Sequence, residues 1–400
     1  MFNIINIPCE VNQILTQLTQ NGFEAYIVGG CVRDCLMGNE PKDWDITTNA
    51  KPAQVKNIFV KTVDTGIAHG TVTVILNKKH FEVTTYRIDG EYKDCRRPQN
   101  VFFTDDLTKD LSRRDFTINA IAYNDTNKFV DPFGGQIDIK NKLIKCVGDA
   151  NLRFNEDALR MMRALRFSCQ LNFEIESQTY ECLCKNVPLI KFVSIERIRD
   201  EFLKLISAAN LLNFHFLVDS QILKYVSLDL HQYLCDNLEG VMKALGNSQK
   251  NISILLATLF YKMAPDKAFR LVKFLRLDNK TCDNVRIILG NLNLKLTNDP
   301  YGTKKIISNI GFENFFALVD VQKNIGQISN SDDVKKFALS LQNECIFLKD
   351  LAVNGDDLMQ IGFDSGKKIG QTLNYLLDIV HQFPQKNSFE QLISLAQNLK

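Results

Sequence analysis

The sequence predicts an α+β fold, a small mixed-sheet head followed by an all-α remainder. Three observations predict it. β-like segments concentrate in the first third, at 25–28, 45–48, 71–76, 81–87 and 129–131, interrupted by helical patterns at 14–20, 52–59 and 116–123. Beyond about residue 144, apolar residues recur at three- and four-residue spacing, for example over 157–168, 196–206, 252–263 and 370–383. Four hundred residues with 45% apolar content exceed one ordinary core, so more than one domain is expected.

Boundaries inside the helical part are weakly marked. Asn298-Asp299-Pro300-Tyr301-Gly302 is its strongest turn cluster and the best place to divide it. Charge is nearly balanced, with 48 basic against 46 acidic residues, so contact with a nucleic acid has to come from local patches. The first eighteen residues lack a basic leader and carry Glu10, which argues against secretion. The longest mostly apolar run, 252–261, is about half of the roughly 20 residues that span a bilayer, so no membrane role and a cytoplasmic location are expected. Eleven scattered cysteines read as reduced thiols and not as a zinc site or disulfide frame.

The most informative stretch is Gly29-Gly30-Cys31-Val32-Arg33-Asp34, followed by Asp43-Trp44-Asp45. Glycines between a strand and a helix let backbone N–H groups face phosphate oxygens. Carboxylates at i and i+2 of an extended segment project from one face, where they can hold a divalent metal. A phosphate cradle beside a metal pair points to nucleotidyl transfer.

Glu82 follows in Phe81-Glu82-Val83-Thr84-Thr85-Tyr86-Arg87, the second half of a hairpin expected to turn at 77–80. Alternation puts Glu82, Thr84 and Tyr86 on one face and Phe81, Val83 and Thr85 on the other. Without the upstream aspartates Glu82 would pass for an edge-strand acid. With them it makes a third carboxylate, enough for two metal ions about 4 Å apart in in-line phosphoryl chemistry.

In Ser112-Arg113-Arg114-Asp115-Phe116-Thr117-Ile118-Asn119-Ala120, Asp115 resembles an N-cap of a helix that buries Phe116, Ala120 and Ile121. One reading is a capped helix with two solvated arginines. The other is an arginine placed at a helix N-terminus to meet a triphosphate.

In the stretch from Arg153 to Phe167, Asn155 is the expected cap and Ala158, Met161, Met162 and Leu165 the buried stripe. Asp157 and Arg160 are neighbours at i, i+3, either as a salt-bridged surface or as a base-reading pair. An aspartate accepts from the exocyclic amine of cytosine or adenine while an arginine donates to ring acceptors, and uracil or guanine mismatches the carboxylate at a cost of about 1–3 kcal/mol. The row of arginines rotates by about 60° per three residues, so Arg163 borders Arg160 whereas Arg166 lies nearly opposite Asp157.

Together with Asp131-Pro132-Phe133-Gly134-Gly135 and Glu156-Asp157-Ala158-Leu159-Arg160, these motifs resemble, in order, the bacterial class II tRNA nucleotidyltransferases and related poly(A) polymerases. The resemblance implies a DNA-polymerase-beta-type nucleotidyltransferase head (1–145), then helical neck (146–208), body (209–298) and tail (299–400). It implies that Asp43 and Asp45 bind Mg²⁺ with Glu82 as the third carboxylate. Gly30, Arg33 and Arg114 would hold CTP or ATP, Asp157 and Arg160 would serve as an amino-acid template, and Arg163 and Arg166 would also contact nucleotide. The implied partner is the acceptor arm and elbow of tRNA, and the implied reaction is addition of CCA to its 3′ end with release of pyrophosphate.

Within that family, poly(A) polymerases resemble one another in a basic stretch where this chain has Thr65-Gly66-Ile67-Ala68-His69-Gly70-Thr71, as tRNA-directed members do. CC-adding members lack much of a loop that is kept here from Asp89 to Pro98, so full CCA addition is favoured over CC addition. A-only addition stays open. A catalytically silent RNA-binding protein is the non-enzymatic alternative, and the intact carboxylates argue against it.

Overall fold

The computed structural model describes residues 5–90, 100–208, 211–248, 251–364 and 366–399. The chain divides into two compact units, Met1–Asp236 and Asn237–Lys400.

The first unit opens with a seven-stranded mixed sheet. Its first five strands are β1 (Ala25–Val28), β2 (Ile46–Thr48), β3 (Thr62–Gly66), β4 (Thr71–Leu76) and β5 (Lys79–Thr85). They lie in the order β3-β4-β5-β2-β1, continued by Ala122–Asn124 and Lys128–Val130. β1 is buried at all four positions because it lies inside the sheet with both faces covered. β4 and β5 form a tight hairpin in which Leu76 pairs with Lys79, and the two turn residues, Asn77 and Lys78, take φ of 51° and 64°. Two successive positive φ values match the right-handed twist of the strands they join. β2 and β5 are the parallel pair, with Ile46 opposite Val83 and Thr47 opposite Thr84.

The segment 116–123 departs from the expected helix. Thr117–Asn119 is a single 3-10 turn, and Ala122–Asn124 is a strand that pairs with β1. All eight residues from Phe116 to Tyr123 are buried, so no solvent face remains to define an amphipathic helix. Asp115 therefore caps no α-helix, although its carboxylate accepts from the Phe116 N–H at 2.8 Å.

A second correction concerns the stretch 153–168. Two helices meet there, Ala150–Glu156 and Leu159–Leu171, with Asp157 at the break in an extended conformation. Asn155 lies in the first helix and bonds back to the Asn151 carbonyl, while the Asp157 carboxylate accepts from the Leu159 N–H at 3.1 Å. The stripe of Ala158, Met161, Met162 and Leu165 is buried as its spacing predicts. Helices Ser177–Asn186 and Ile195–Ile206 follow, then the short helices His215–Asp219 and Ile222–Val226.

The regular elements of the second unit are all helices among its described residues. Asp299 caps the helix Pro300–Asn324 by accepting from the Gly302 N–H at 2.6 Å, so the turn cluster at 298–302 starts a helix. Gly311, at φ 77°, breaks that helix. One buried cluster gathers Ile307, Phe315, Val319 and Val334, and another Leu358, Leu376, Val380 and Leu392. The ten described cysteines are all free. Among the described residues no helix is long and apolar enough to cross a membrane.

Candidate active site

β1 ends at Val28, and Gly29 turns the chain with φ 80° and ψ −127° into the helix Gly30–Leu36. A Cβ on Gly29 would stand 3.0 Å from Arg114 Nη1, so glycine is required both for the left-handed turn and for the close approach of that guanidinium. The Val28 N–H donates to the Asp45 carbonyl at 3.0 Å, which pins Asp45 beside the same turn. Continuing the parallel register one residue back from Ile46 and Val83 sets Asp45 next to Glu82.

Asp43, Asp45 and Glu82 are all exposed. The Asp45 carboxyl is pushed above the usual carboxylate range by partial desolvation and by the negative charges of Glu82 and Asp43, against the lowering pull of Arg114. Among the described residues no three His, Cys, Asp or Glu side chains close into a metal cage. The donor set is instead open, composed of hard oxygens whose mutual repulsion a divalent cation would relieve. Such a set suits a cation that keeps some ligand positions for water and phosphate oxygens.

Arg114 is set by Asp110 on the helix Leu107–Ser112. That carboxylate is fully buried and accepts from Arg113 Nη2 at 2.8 Å, Arg114 Nη2 at 3.4 Å and the Arg87 N–H at 3.2 Å. Burial would raise its pKa, but the charges of Arg114 and Arg113 outweigh that and lower it. The two arginines are thus neither solvated nor free, contrary to the simpler sequence reading. Asp110 was legible at i, i+3 and i, i+4 from them but was not singled out.

Arg33, Arg163 and Arg166 surround the Phe167 ring, their guanidinium carbons 5.1, 5.3 and 3.8 Å from its centre. Arg163 is held by Asp115 through Nε at 2.8 Å and Nη2 at 2.6 Å. Burial raises the Asp115 carboxyl, but Arg163 and the Asn119 amide prevail and hold it at about 2. Arg166 pairs with Glu201 and donates to Gln170 at 2.7 Å. Asp157 lies outside the helix that carries Arg166, so helical rotation does not relate the two, and Phe167 brings Arg166 alongside Arg163.

The structure separates the partners of Asp157 and Arg160. Arg160 donates to Glu156 at 2.6 Å and to the Arg113 carbonyl at 2.8 Å. Asp157 accepts from Arg197 at 2.8 and 3.2 Å. Its carboxylate is 17% exposed and that of Asp115 only 9%. Arg197 and Glu201, on the helix Ile195–Ile206, lie 40 and 35 residues from their partners, beyond the reach of local spacing.

Residues 25–145 match the model of the poly A polymerase head domain, and 172–234 that of the probable RNA and SrmB-binding site of polymerase A. Residues 247–396 match the putative domain 2 of tRNA nucleotidyltransferase. The CCA-adding enzyme of Listeria innocua is 40% identical over 376 residues, spanning 90% of this chain and 91% of that relative. This chain belongs to the CCA-adding enzymes. The family member from Lactobacillus helveticus is 35% identical over 378 residues, spanning 94% and 93%. The crystal structure of the Bacillus stearothermophilus CCA-adding enzyme in complex with CTP matches with a TM-score of 0.84 at 30% identity, covering 96% of this chain and 95% of that one. CCA-adding enzymes are tRNA nucleotidyltransferases, which generally use divalent metal ions. The mixed-sheet head followed by helices is the family's fold.

Proposed function

We propose that this chain adds C, C and A in turn to the 3′ end of tRNA, taking CTP and ATP and releasing pyrophosphate at each step. The observation that carries this is the meeting of Gly29, Arg114, Asp45 and Glu82 at one end of the sheet. Asp43 and Asp45 would hold Mg²⁺, with Glu82 as the third carboxylate. When bound, the metal supplies positive charge to the attacking 3′ oxygen and to the phosphates. Gly30 and Arg33 would line the nucleotide side of the turn, and Arg114 would meet the triphosphate with a guanidinium already oriented by Asp110.

Base choice would fall to Asp157, Arg160, Arg163 and Arg166 in the helical neck, residues 146–208. Asp157 accepts the exocyclic amine shared by cytosine and adenine, which uracil and guanine replace with a carbonyl. In this state Asp157 faces Arg197 and Arg160 faces Glu156, so templating requires both to exchange partners. The body (209–298) and tail (299–400) would take the acceptor arm and elbow, as duplex RNA is read by shape and phosphate contacts. Cytoplasmic action on tRNA fits this reading.

The loop that favours CCA over CC addition falls largely on residues 91–99, outside the described residues. Its flanks, Arg87–Asp89 and Val101–Phe103, pair as an antiparallel ribbon. The deciding assay supplies tRNAs ending before CCA, at C and at CC with CTP and ATP, separately and together, and sequences the ends. Extension of all three to CCA supports the proposal. Extension of only the CC-ended tRNA identifies an A-adding enzyme, long A tails a polymerase, and no extension a silent RNA-binding protein.

A further inference from the structure

Asn119 closes the 3-10 turn Thr117–Asn119 and is 6% exposed. Its amide has a charged partner at each end. Arg33 Nη1 donates to Oδ1 at 2.7 Å, and Nδ2 donates to Asp115 Oδ1 at 3.1 Å. A guanidinium only donates and a carboxylate only accepts, so this position needs one acceptor and one donor on a short planar side chain. Asparagine meets that need; aspartate lacks the donor and alanine lacks both groups.

The series does not stop at Asp115, whose other oxygen binds Arg163. It runs Arg33, Asn119, Asp115, Arg163, from the helix after the glycine turn to the neck helix, across separations of 86 and 48 residues. Both end guanidiniums also lie against Phe167. The backbone of Asn119 is packed on the glycine turn as well: a Cβ on Gly29 would stand 3.7 Å from its carbonyl.

We propose that Asn119 is a positioning residue that couples Arg33 to Arg163, so that the guanidinium beside the glycine turn and the one on the neck helix are oriented as a single unit. The coupling presupposes the nucleotide-contacting roles proposed above for those two arginines. Three guanidiniums around one ring repel one another; Asp34 holds Nε and Nη2 of Arg33 at 2.9 and 2.7 Å, and the alternating series of acceptor and donor that starts at its remaining Nη1 fixes its geometry relative to Arg163. A shift of Arg33 is then transmitted to Arg163 through Asn119 and Asp115.

The test uses the full chain, with Asn119→Asp and Asn119→Ala as independent variants should one fail to fold. CTP and ATP binding is measured by calorimetry, KM and kcat on tRNA lacking CCA, and stability by thermal melting. Expected are a tenfold or greater loss of affinity for both nucleotides and a matching rise in their KM. The KM for tRNA should stay within twofold, whereas the melting temperature should fall, since Arg33 and Asp115 each lose a buried partner. Arg33→Lys and Arg163→Lys, combined, should weaken CTP binding by less than the product of their separate effects, and in the Asn119→Ala background the effects should multiply. Affinities within twofold of wild type, or the same coupling in both backgrounds, would overturn the proposal. Calorimetry needs no tRNA, so a wild-type protein that binds CTP but extends no tRNA refutes the proposed reaction and still decides the role of Asn119.

Discussion

The carboxylate end of the sheet and the arginine cluster around Phe167 treat charge in opposite ways. Asp43, Asp45 and Glu82 stand exposed with like charges together, and backbone positions them, through the register of β2 with β5 and the bond from Val28 to Asp45. Arg33, Arg163 and Arg166 crowd one phenylalanine, and side chains position them, each arginine tied to a carboxylate or an amide. A site suited to a cation is left electrostatically unsatisfied on a rigid frame. The group to which the proposed function assigns base discrimination is satisfied internally, and on that proposal it trades partners when it binds. Substitutions at the sheet should therefore remove activity while sparing stability, and those in the cluster should touch both.

Asp45→Ala is the largest break. Charge stabilisation by a metal is worth several kcal/mol, so every nucleotide addition should fall by roughly a thousandfold or more. Melting temperature should hold or rise, because the substitution removes one of three mutually repelling carboxylates. Initial rates and a thermal melt check both halves, and a collapse in stability would erase the contrast.

Asp110→Ala tests the boundary between the two regions. Its carboxylate is fully buried against Arg113 and Arg114, and breaking a buried pair leaves charge without compensation at a cost of about 3 kcal/mol. Equilibrium unfolding in urea should register that loss. Nucleotide KM should rise too, since Arg114 loses the anchor that holds it against Gly29.

What could be read from the sequence follows the same division. The glycine turn, the two aspartates and Glu82 lie close along the chain, and strand alternation alone orients Glu82. The arginine network is opaque to sequence because its partners come from distant segments: Asp157 with Arg197, Asp115 with Arg163, Arg33 with Asn119. The stretch 116–123 misled for a related reason. Its apolar spacing fits a helix, but complete burial and pairing with β1 outweigh local pattern.

Acid should separate the regions by the sign of their response. Asp115 is held at about 2, well below the ordinary aspartate value of about 4, so its ionised form stabilises the fold. That contribution, about 2 kcal/mol, is complete above roughly pH 4 and is lost as pH falls through about 2. Asp45 is shifted upward, so its protonation favours the folded state and its contribution grows as pH falls. Urea unfolding between pH 6 and pH 3 should show a shallower loss of stability in Asp115→Asn than in wild type, and a steeper one in Asp45→Asn.

The finest distinction lies between Asp157 and the arginine that faces it. Asp157→Ala removes the acceptor for the cytosine and adenine amines, so discrimination against UTP and GTP should fall by roughly ten- to a hundredfold while CTP addition stays metal-dependent. Arg197→Ala leaves that carboxylate in place, still accepting from the Leu159 N–H, and takes away only the guanidinium that occupies it before a base arrives. It should lower the KM for nucleotide or leave it unchanged, with a smaller loss of selectivity. Competition between CTP and UTP on one tRNA, scored by sequencing the products, measures both variants. If Arg197→Ala relaxed base choice as far as Asp157→Ala, the partner exchange required of Asp157 would be wrong. The Asp157–Arg197 pair would then itself be the reading head, discriminating without giving up its internal contact.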